Sequence, residues 1–507
     1  MNLAPVTRSF KFSFAVAGLA FLAAALVLFL VASSRVRAVV AVLGGLTILI
    51  GAFLSGNPRL FSLWGLMLTI PFDLSKRFGP IIEKMGGESS FRVEMSDPFI
   101  LMLLAFLARD IWSGYRKGLR VPRATFYWVL IMLMGCFAVV FGPWRTTAAH
   151  EVVRMFKMML LFLVISNELQ RPRRVLHCAA GLTLGVIVQA AAGLIQYFTR
   201  AHFGLELLGE TGAGTMSQLM ADSVRTEKVH RIGAFLSHPN VFGIFLAALL
   251  PVAIGAFLLR VGKVYRLLFF AGIVLGMAAL IGTLSRSGWL SFAAAFTLLV
   301  LLMTLHHDLR RRSLITMMLA AAALLIVCVA FAGPITRRIF ESRESAMLSR
   351  ADYIKDATGM ISAKPVLGWG LNSYVYAAPP FTKYGAREAH KKYENWLPPV
   401  HNIYLLWWAE TGLVGLVIHL LVLGSIITVG VGNLRVKDKL LFAVNAACLS
   451  AMLAFLVDGF FSFSLRINSI LRVFWVLAGI IMAVRYWRLG QGRGLSATHD
   501  RSRLPAT

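Results

Sequence analysis

Residues 401–430 read HNIYLLWWAETGLVGLVIHLLVLGSIITVG, a run that from Asn402 onward holds a single acid, Glu410, and no Lys or Arg. As an α-helix it is long enough to cross the ~30 Å hydrocarbon core of a bilayer with every backbone group satisfied inside the segment. Pro398 and Pro399 just ahead cannot continue a helix backwards, which sets the start of the span near Asn402.

The rest of the chain repeats this pattern. Of 507 residues, 58% are hydrophobic and the mean hydropathy is +0.74, against roughly 45–50% apolar residues in soluble domains. Apolar runs predict spans near 12–32, 38–55, 59–72, 97–112, 124–142, 150–166, 175–198, 238–258, 267–284, 288–305, 313–333, 402–430, 440–461 and 469–485. Runs as short as 59–72 and 97–112 are compatible with tilted, re-entrant or interfacial helices, so the expectation is an all-α polytopic membrane protein with 12–14 transmembrane helices. The short alternating strands of a membrane barrel are absent. The first run, Phe12 to Ala32, reads as a retained span and not as a cleaved signal.

The net charge of +28 could indicate nucleic acid, but the Lys and Arg are scattered over short loops instead of lying on one amphipathic face. Loops 116–123, 171–174, 260–266, 310–312 and 435–439 and the tail after Val484 are Arg-rich and alternate with loops of mixed charge. The positive-inside rule makes them cytoplasmic, with both termini, and puts 73–96, 199–237 and 334–401 outside, which in a Gram-negative cell means the periplasm. Arg35 and Arg37 fall in an outer turn and run against this pattern. Attraction to anionic lipids or to pyrophosphate is a second, compatible reading of the charge. Cys136, Cys178, Cys328 and Cys448 all lie in apolar runs, so neither a disulfide framework nor a zinc site is indicated.

The expected organisation is one transmembrane domain over residues 1–489, an outer loop or cap at 334–401 within it, and a disordered cytoplasmic tail at 490–507. In the cap, Ser349 and Asp352 resemble a capping box ahead of Tyr353, Ile354, Ala357, Met360 and Ile361 at helical spacing. Lys364-Pro365 ends that helix, Gly368-Trp369-Gly370 forces a tight turn, and a second short helix is predicted over Ala386 to Trp396.

Three groups of residues could carry chemistry. His401 stands at the mouth of the 402–430 span, where free N–H groups and the positive helix end disfavour its protonated form and favour an anion nearby. It reads either as an interfacial cap or as a general base, and Asn402 as a good N-cap. His150, Glu151, Arg154 and Lys157 form a charged stripe running into a membrane helix, which lines a cavity or closes on itself as a Glu151–Arg154 pair; Lys157 has no acidic mate nearby in sequence. Arg286 lies in a tight outer turn, and Arg231, Arg145 and Arg466 also fall at outer ends. Arginine on the side where topology does not require it suggests a phosphate-bearing anion, with headgroup snorkelling as the alternative. Nucleotide-binding Gly-Lys-Ser/Thr loops, His-Glu-x-x-His and Gly-x-Ser-x-Gly motifs are missing, and no loop Asp-x-Asp pair provides for a metal on a nucleotide sugar.

Ser285-Arg286-Ser287-Gly288, then Lys364-Pro365-Val366-Leu367-Gly368-Trp369-Gly370, then His401-Asn402-Ile403-Tyr404-Leu405 with Glu410-Thr411-Gly412-Leu413-Val414-Gly415 resemble, in this order, the O-antigen ligase and polymerase superfamily. His230-Arg231-Ile232-Gly233-Ala234-Phe235 with His238-Pro239-Asn240 is also similar to a segment of that family. The resemblance covers roughly 150–430. It implies a GT-C-like architecture and a metal-independent, inverting glycosyltransferase without cofactor, in the bacterial inner membrane with its site facing the periplasm. The donor would be undecaprenyl-pyrophosphate-linked O-antigen and the acceptor the lipid A-core of lipopolysaccharide. His401 would be the base, Arg154, Arg231, Arg286, Lys157 and Arg145 would hold the pyrophosphate, and Asn402, Glu151 and Glu410 would support them. Polymerases and protein O-oligosaccharyltransferases share these motifs. A lipid-linked glycan transporter, the rival from another class, would show paired broken helices in corresponding halves.

Overall fold

In the computed structural model, which describes residues 48–316, 344–382 and 399–491 apart from 74, 83–86, 170, 201–202, 204–209, 211–230, 237 and 260, the apolar runs form helices. In chain order these are α1 (Pro58–Thr69), α2 (Asp97–Trp112), α3 (Arg123–Phe141), α4 (Arg145–Glu168), α5 (Pro172–Thr199), α6 (Pro239–Leu258), α7 (Lys263–Gly282), α8 (Arg286–Thr304), α9 (Glu344–Ala363), α10 (Ile403–Gly432), α11 (Lys439–Asp458) and α12 (Asn468–Gln491). Eight of the described helices, α3, α5 to α8 and α10 to α12, are long and apolar enough to cross a membrane. With almost no sheet beside them, they make the chain an all-α polytopic membrane protein. The expected spans at 59–72, 97–112 and 150–166 do not meet that standard: α1 has 12 residues, α2 has 16, and α4 carries Glu151, Arg154 and Lys157. Spans expected at 12–32, 38–55 and 313–333 lie wholly or partly outside the described residues, as do the 386–396 helix and the tail from 492.

α6 and α12 form the centre, with 94% of their apolar windows buried, whereas α3 and α7, at 28%, turn most of their surface outward. α5, α6, α7, α8 and α11 pack as one group and α3, α4, α10 and α12 as another, joined where α11 meets α12 and α10. Lipid tails are as apolar as Leu, so such helices associate by close packing and polar contacts. Two sets of helix ends result. At one, Arg59 of α1 binds Glu168 and Asp110, Arg116 donates to Asn167 at 3.2 Å and Arg120 to the Tyr486 carbonyl at 3.1 Å, so several Arg-rich loops lie together. At the other, α6, α8 and α10 begin and α11 ends.

One expectation is corrected and two features are added. The described cap helix runs from Glu344 to Ala363, so Ser349 lies inside α9 and not at its start. Residues 73–96 contain an antiparallel hairpin, β1 (Ser75–Phe78) and β2 (Phe91–Glu94). And α10 is not one straight span: Gly412, at φ +67° and ψ −175°, breaks it. The break is repaired by the cap. Leu413 and Val414 donate to the carbonyls of Pro365 (2.8 Å) and Val366 (3.3 Å), while Trp369 and Gly370 donate to those of Ala409 (3.1 Å) and Glu410 (2.7 Å). Both chains must approach as bare backbone, since a Cβ on Gly412 would lie 2.1 Å from the Val366 oxygen and one on Gly368 2.5 Å from Glu410. Lys364–Gly370 and Glu410–Gly415 are thus two halves of one joint.

Candidate active site

His401 immediately precedes α10. Asn402 caps the helix, its Oδ1 accepting from Tyr404 and Leu405 N–H at 3.0 Å each, and Ile403 N–H donates to the Gly459 carbonyl at 2.8 Å. Leu406 N–H goes to the Asn402 carbonyl. The expectation of free N–H groups inviting an anion is therefore corrected for Ile403, Tyr404 and Leu405, whose N–H groups the Asn402 side chain and the neighbouring loop use. The imidazole is half-buried between Tyr353 of α9 (centroids 6.1 Å apart) and Phe463 (5.2 Å). Burial, and then the Arg350 guanidinium one turn before Tyr353, hold it down at about 4, so at neutral pH the ring is uncharged and free to accept a proton.

A second imidazole stands beside it. His238 caps α6, its Nδ1 accepting from Asn240 N–H at 3.1 Å, which puts the ring proton on Nε2. Burial, then Arg231 and His401, lower it to about 4 as well.

Around this pair lie three arginines. Arg231 is aimed by two bonds, Nε to the Thr283 carbonyl (3.0 Å) and Nη2 to Asn240 Oδ1 (2.8 Å). Arg286 opens α8 and is exposed; Ser285 caps the helix through Gly288 N–H at 3.2 Å, and Leu284 turns the chain with φ +49°. Here α8 crosses α6 so closely that a Cβ on Gly288 would sit 2.9 Å from Gly243 Cα, which fixes Arg286 at the head of the bundle. Arg350 reaches over from α9, within electrostatic range of Arg286 and of Asp458, the last residue of α11. Asp458 itself lies within hydrogen-bond reach of Ser287 and Ser464. The result is a partly solvated basic site at the helix ends with Asp458 beside it.

The other expected residues belong to a second, internally neutralised group. Arg154, buried, binds Glu151 and the Arg466 carbonyl and reaches Asn468 Oδ1 at 3.3 Å. Lys157, which had no mate in the sequence reading, meets Asp97 at 2.9 Å and Glu94 at 3.4 Å, carboxylates supplied by the β2–α2 junction some sixty residues upstream. Glu94 is held at about 2: burial would raise it, but Arg472, Lys157 and Arg92 outweigh that. Arg466 is buried between Glu410 (3.1 Å) and Glu151 (3.6 Å), and Glu410 also accepts from the N–H groups of Asn372 (3.0 Å) and Tyr374 (3.2 Å). Arg145 is exposed at the start of α4.

His401, Arg231 and Arg286 thus come together, joined by Arg350, His238 and Asp458, which the sequence reading did not select. Signals for them existed. Arg350 is one turn from Tyr353, and Asp458 is an acid inside an apolar run.

No curated protein matches the chain. The family model described as O-antigen ligase matches residues 271–420, a stretch that takes in the Arg286 turn, α9 with Arg350, the Lys364–Gly370 strap and His401. This match is consistent with a member of the O-antigen ligase/polymerase superfamily.

Proposed function

We propose that the protein transfers O-antigen glycan from undecaprenyl pyrophosphate to the lipid A-core at the periplasmic face of the inner membrane, without metal and with inversion. The family match carries the class, ligase or polymerase. The observation that carries the mechanism is the meeting of an uncharged His401 with Arg231, Arg286 and Arg350 at one set of helix ends. In this reading residues 1–489 are one membrane domain, 334–401 its periplasmic cap, and both termini are cytoplasmic.

The acceptor hydroxyl gives its proton to the His401 imidazole as its oxygen attacks the anomeric carbon. The bond from that carbon to the phosphate oxygen breaks, and the diphosphate leaves with the electron pair, its charge met by the arginines. A free-enzyme pKa of about 4 makes a weak base. A diphosphate beside Arg350 offsets the cation that depresses His401, so donor binding raises the imidazole toward the range where a base works best. Arg154, Lys157, Glu151 and Glu410 act in this account as scaffold, holding α4, α10 and α12 under the site.

The test is a reaction of purified protein, undecaprenyl-pyrophosphate glycan and lipid A-core in chelator. A ladder on the acceptor supports the ligase. Lengthening of the lipid-linked glycan with unmodified acceptor identifies a polymerase, and neither product sinks the transferase reading.

A further inference from the structure

Between α4, α10 and α12 the structure encloses a cavity of about 20 Å³ whose wall includes Glu151, Arg154, His419, Arg466 and Trp475. All five side chains are buried, none more than 5% exposed. Each has polar atoms without a hydrogen-bond partner: Glu151 Oε2, Arg154 Nε, both ring nitrogens of His419, Nε and Nη1 of Arg466, and Trp475 Nε1. The closest approach of Arg466 to Glu151, 3.6 Å, is too long for a direct hydrogen bond. Buried polar groups in native proteins are almost always partnered, and a polar space of roughly 10–15 Å³ already accepts a water molecule.

We propose that this cavity is a resident-water site, in which water held by His419, Glu151 and Arg466 ties the inner half of α10 to the ion pairs of α4 and α12. The chemistry selects water. A neutral imidazole needs both a donor and an acceptor, the carboxylate needs a donor, and the guanidinium and indole N–H groups need acceptors. An anion is disfavoured, because Arg154 and Arg466 already face Glu151 and Glu410. The position gives the water a task. Trp407, before the Gly412 break, stacks on His419, beyond it, with centroids 4.5 Å and planes 17° apart, so the site braces a helix that its own backbone ladder does not hold continuously.

X-ray hydroxyl-radical labelling of the full-length protein, read by mass spectrometry, tests this, because buried side chains are oxidised only beside bound water. Trp407, His419 or Trp475 should be labelled at least tenfold faster than Phe245, which is fully buried in α6. Labelling at the Phe245 background overturns the site. Val422→Ile, which adds a methylene to the cavity wall, should abolish labelling at His419. Labelling that survives it unchanged overturns the assignment to this cavity.

Discussion

Arg466→Met removes a cation that two buried carboxylates share. Arg466 donates to Glu410 at 3.1 Å and to Asn372 Oδ1 at 3.0 Å, stands 3.6 Å from Glu151, and lies 5.9 Å from the centre of the Trp407 ring. In the variant Glu151 keeps Arg154, whereas Glu410 keeps only the N–H groups of Asn372 and Tyr374. Breaking a buried pair from one side costs about 3–5 kcal/mol, mostly as an uncompensated charge. At roughly 2–4 °C per kcal/mol for a large domain, the apparent Tm should fall by about 10 °C. Thermal unfolding in detergent, followed by tryptophan fluorescence, measures it. Adding Glu410→Gln should recover part of the loss, since the amide oxygen still accepts a backbone N–H and the bare charge is gone. An Arg466→Met protein melting within about 2 °C of the parent, or a double variant less stable than the single, would refute the reasoning.

The remaining predictions concern the site and its joint. His401 works deprotonated and is held at about 4, so kcat/KM should stay flat from neutral pH down to about 5 and fall only as acidification charges the ring. Arg350→Gln should move that acid limb upward by no more than about one pH unit, because burial is the larger cause of the depression; a parent limb at the ordinary histidine value contradicts this. Arg286→Lys should lower kcat/KM for the lipid-linked donor by roughly tenfold or more if the planar fork grips two phosphate oxygens, and an unchanged value would assign Arg286 to snorkelling. Gly412→Ala would place a Cβ 2.1 Å from the Val366 oxygen and undock the strap, so chymotrypsin should cut faster after Trp369; parent-like resistance would show that the joint tolerates a side chain.

What could be read from the sequence was what is local. The run at 402–430 is α10, Ile403–Gly432, within two residues at each end, because length and apolarity alone define a membrane helix. Asn402 as its cap was equally legible. The Gly412 break was not, since a glycine in an apolar run reads as a helix until something is known to lie against it, and Pro365 to Gly370 arrives from some forty residues away. Lys157 looked unpaired for the same reason: Glu94 and Asp97 are brought to it by tertiary packing. The hairpin was missed because each strand has only four residues and Lys76-Arg77 shows no apolar alternation. Of the site, His401, Arg231 and Arg286 stood out by position, whereas Arg350 was lost among the charges of the cap and Asp458 at the end of an apolar run.

The most direct test of the account is the turnover of His401→Ala against its capacity to hold the donor. Single-turnover transfer from undecaprenyl-pyrophosphate glycan should fall by at least ~10²-fold, the order that a general base contributes. Binding of the same donor should stay within about twofold, because the arginines and not the imidazole meet the diphosphate. Near-parental transfer by His401→Ala would remove His401 as the base and, with it, the central claim.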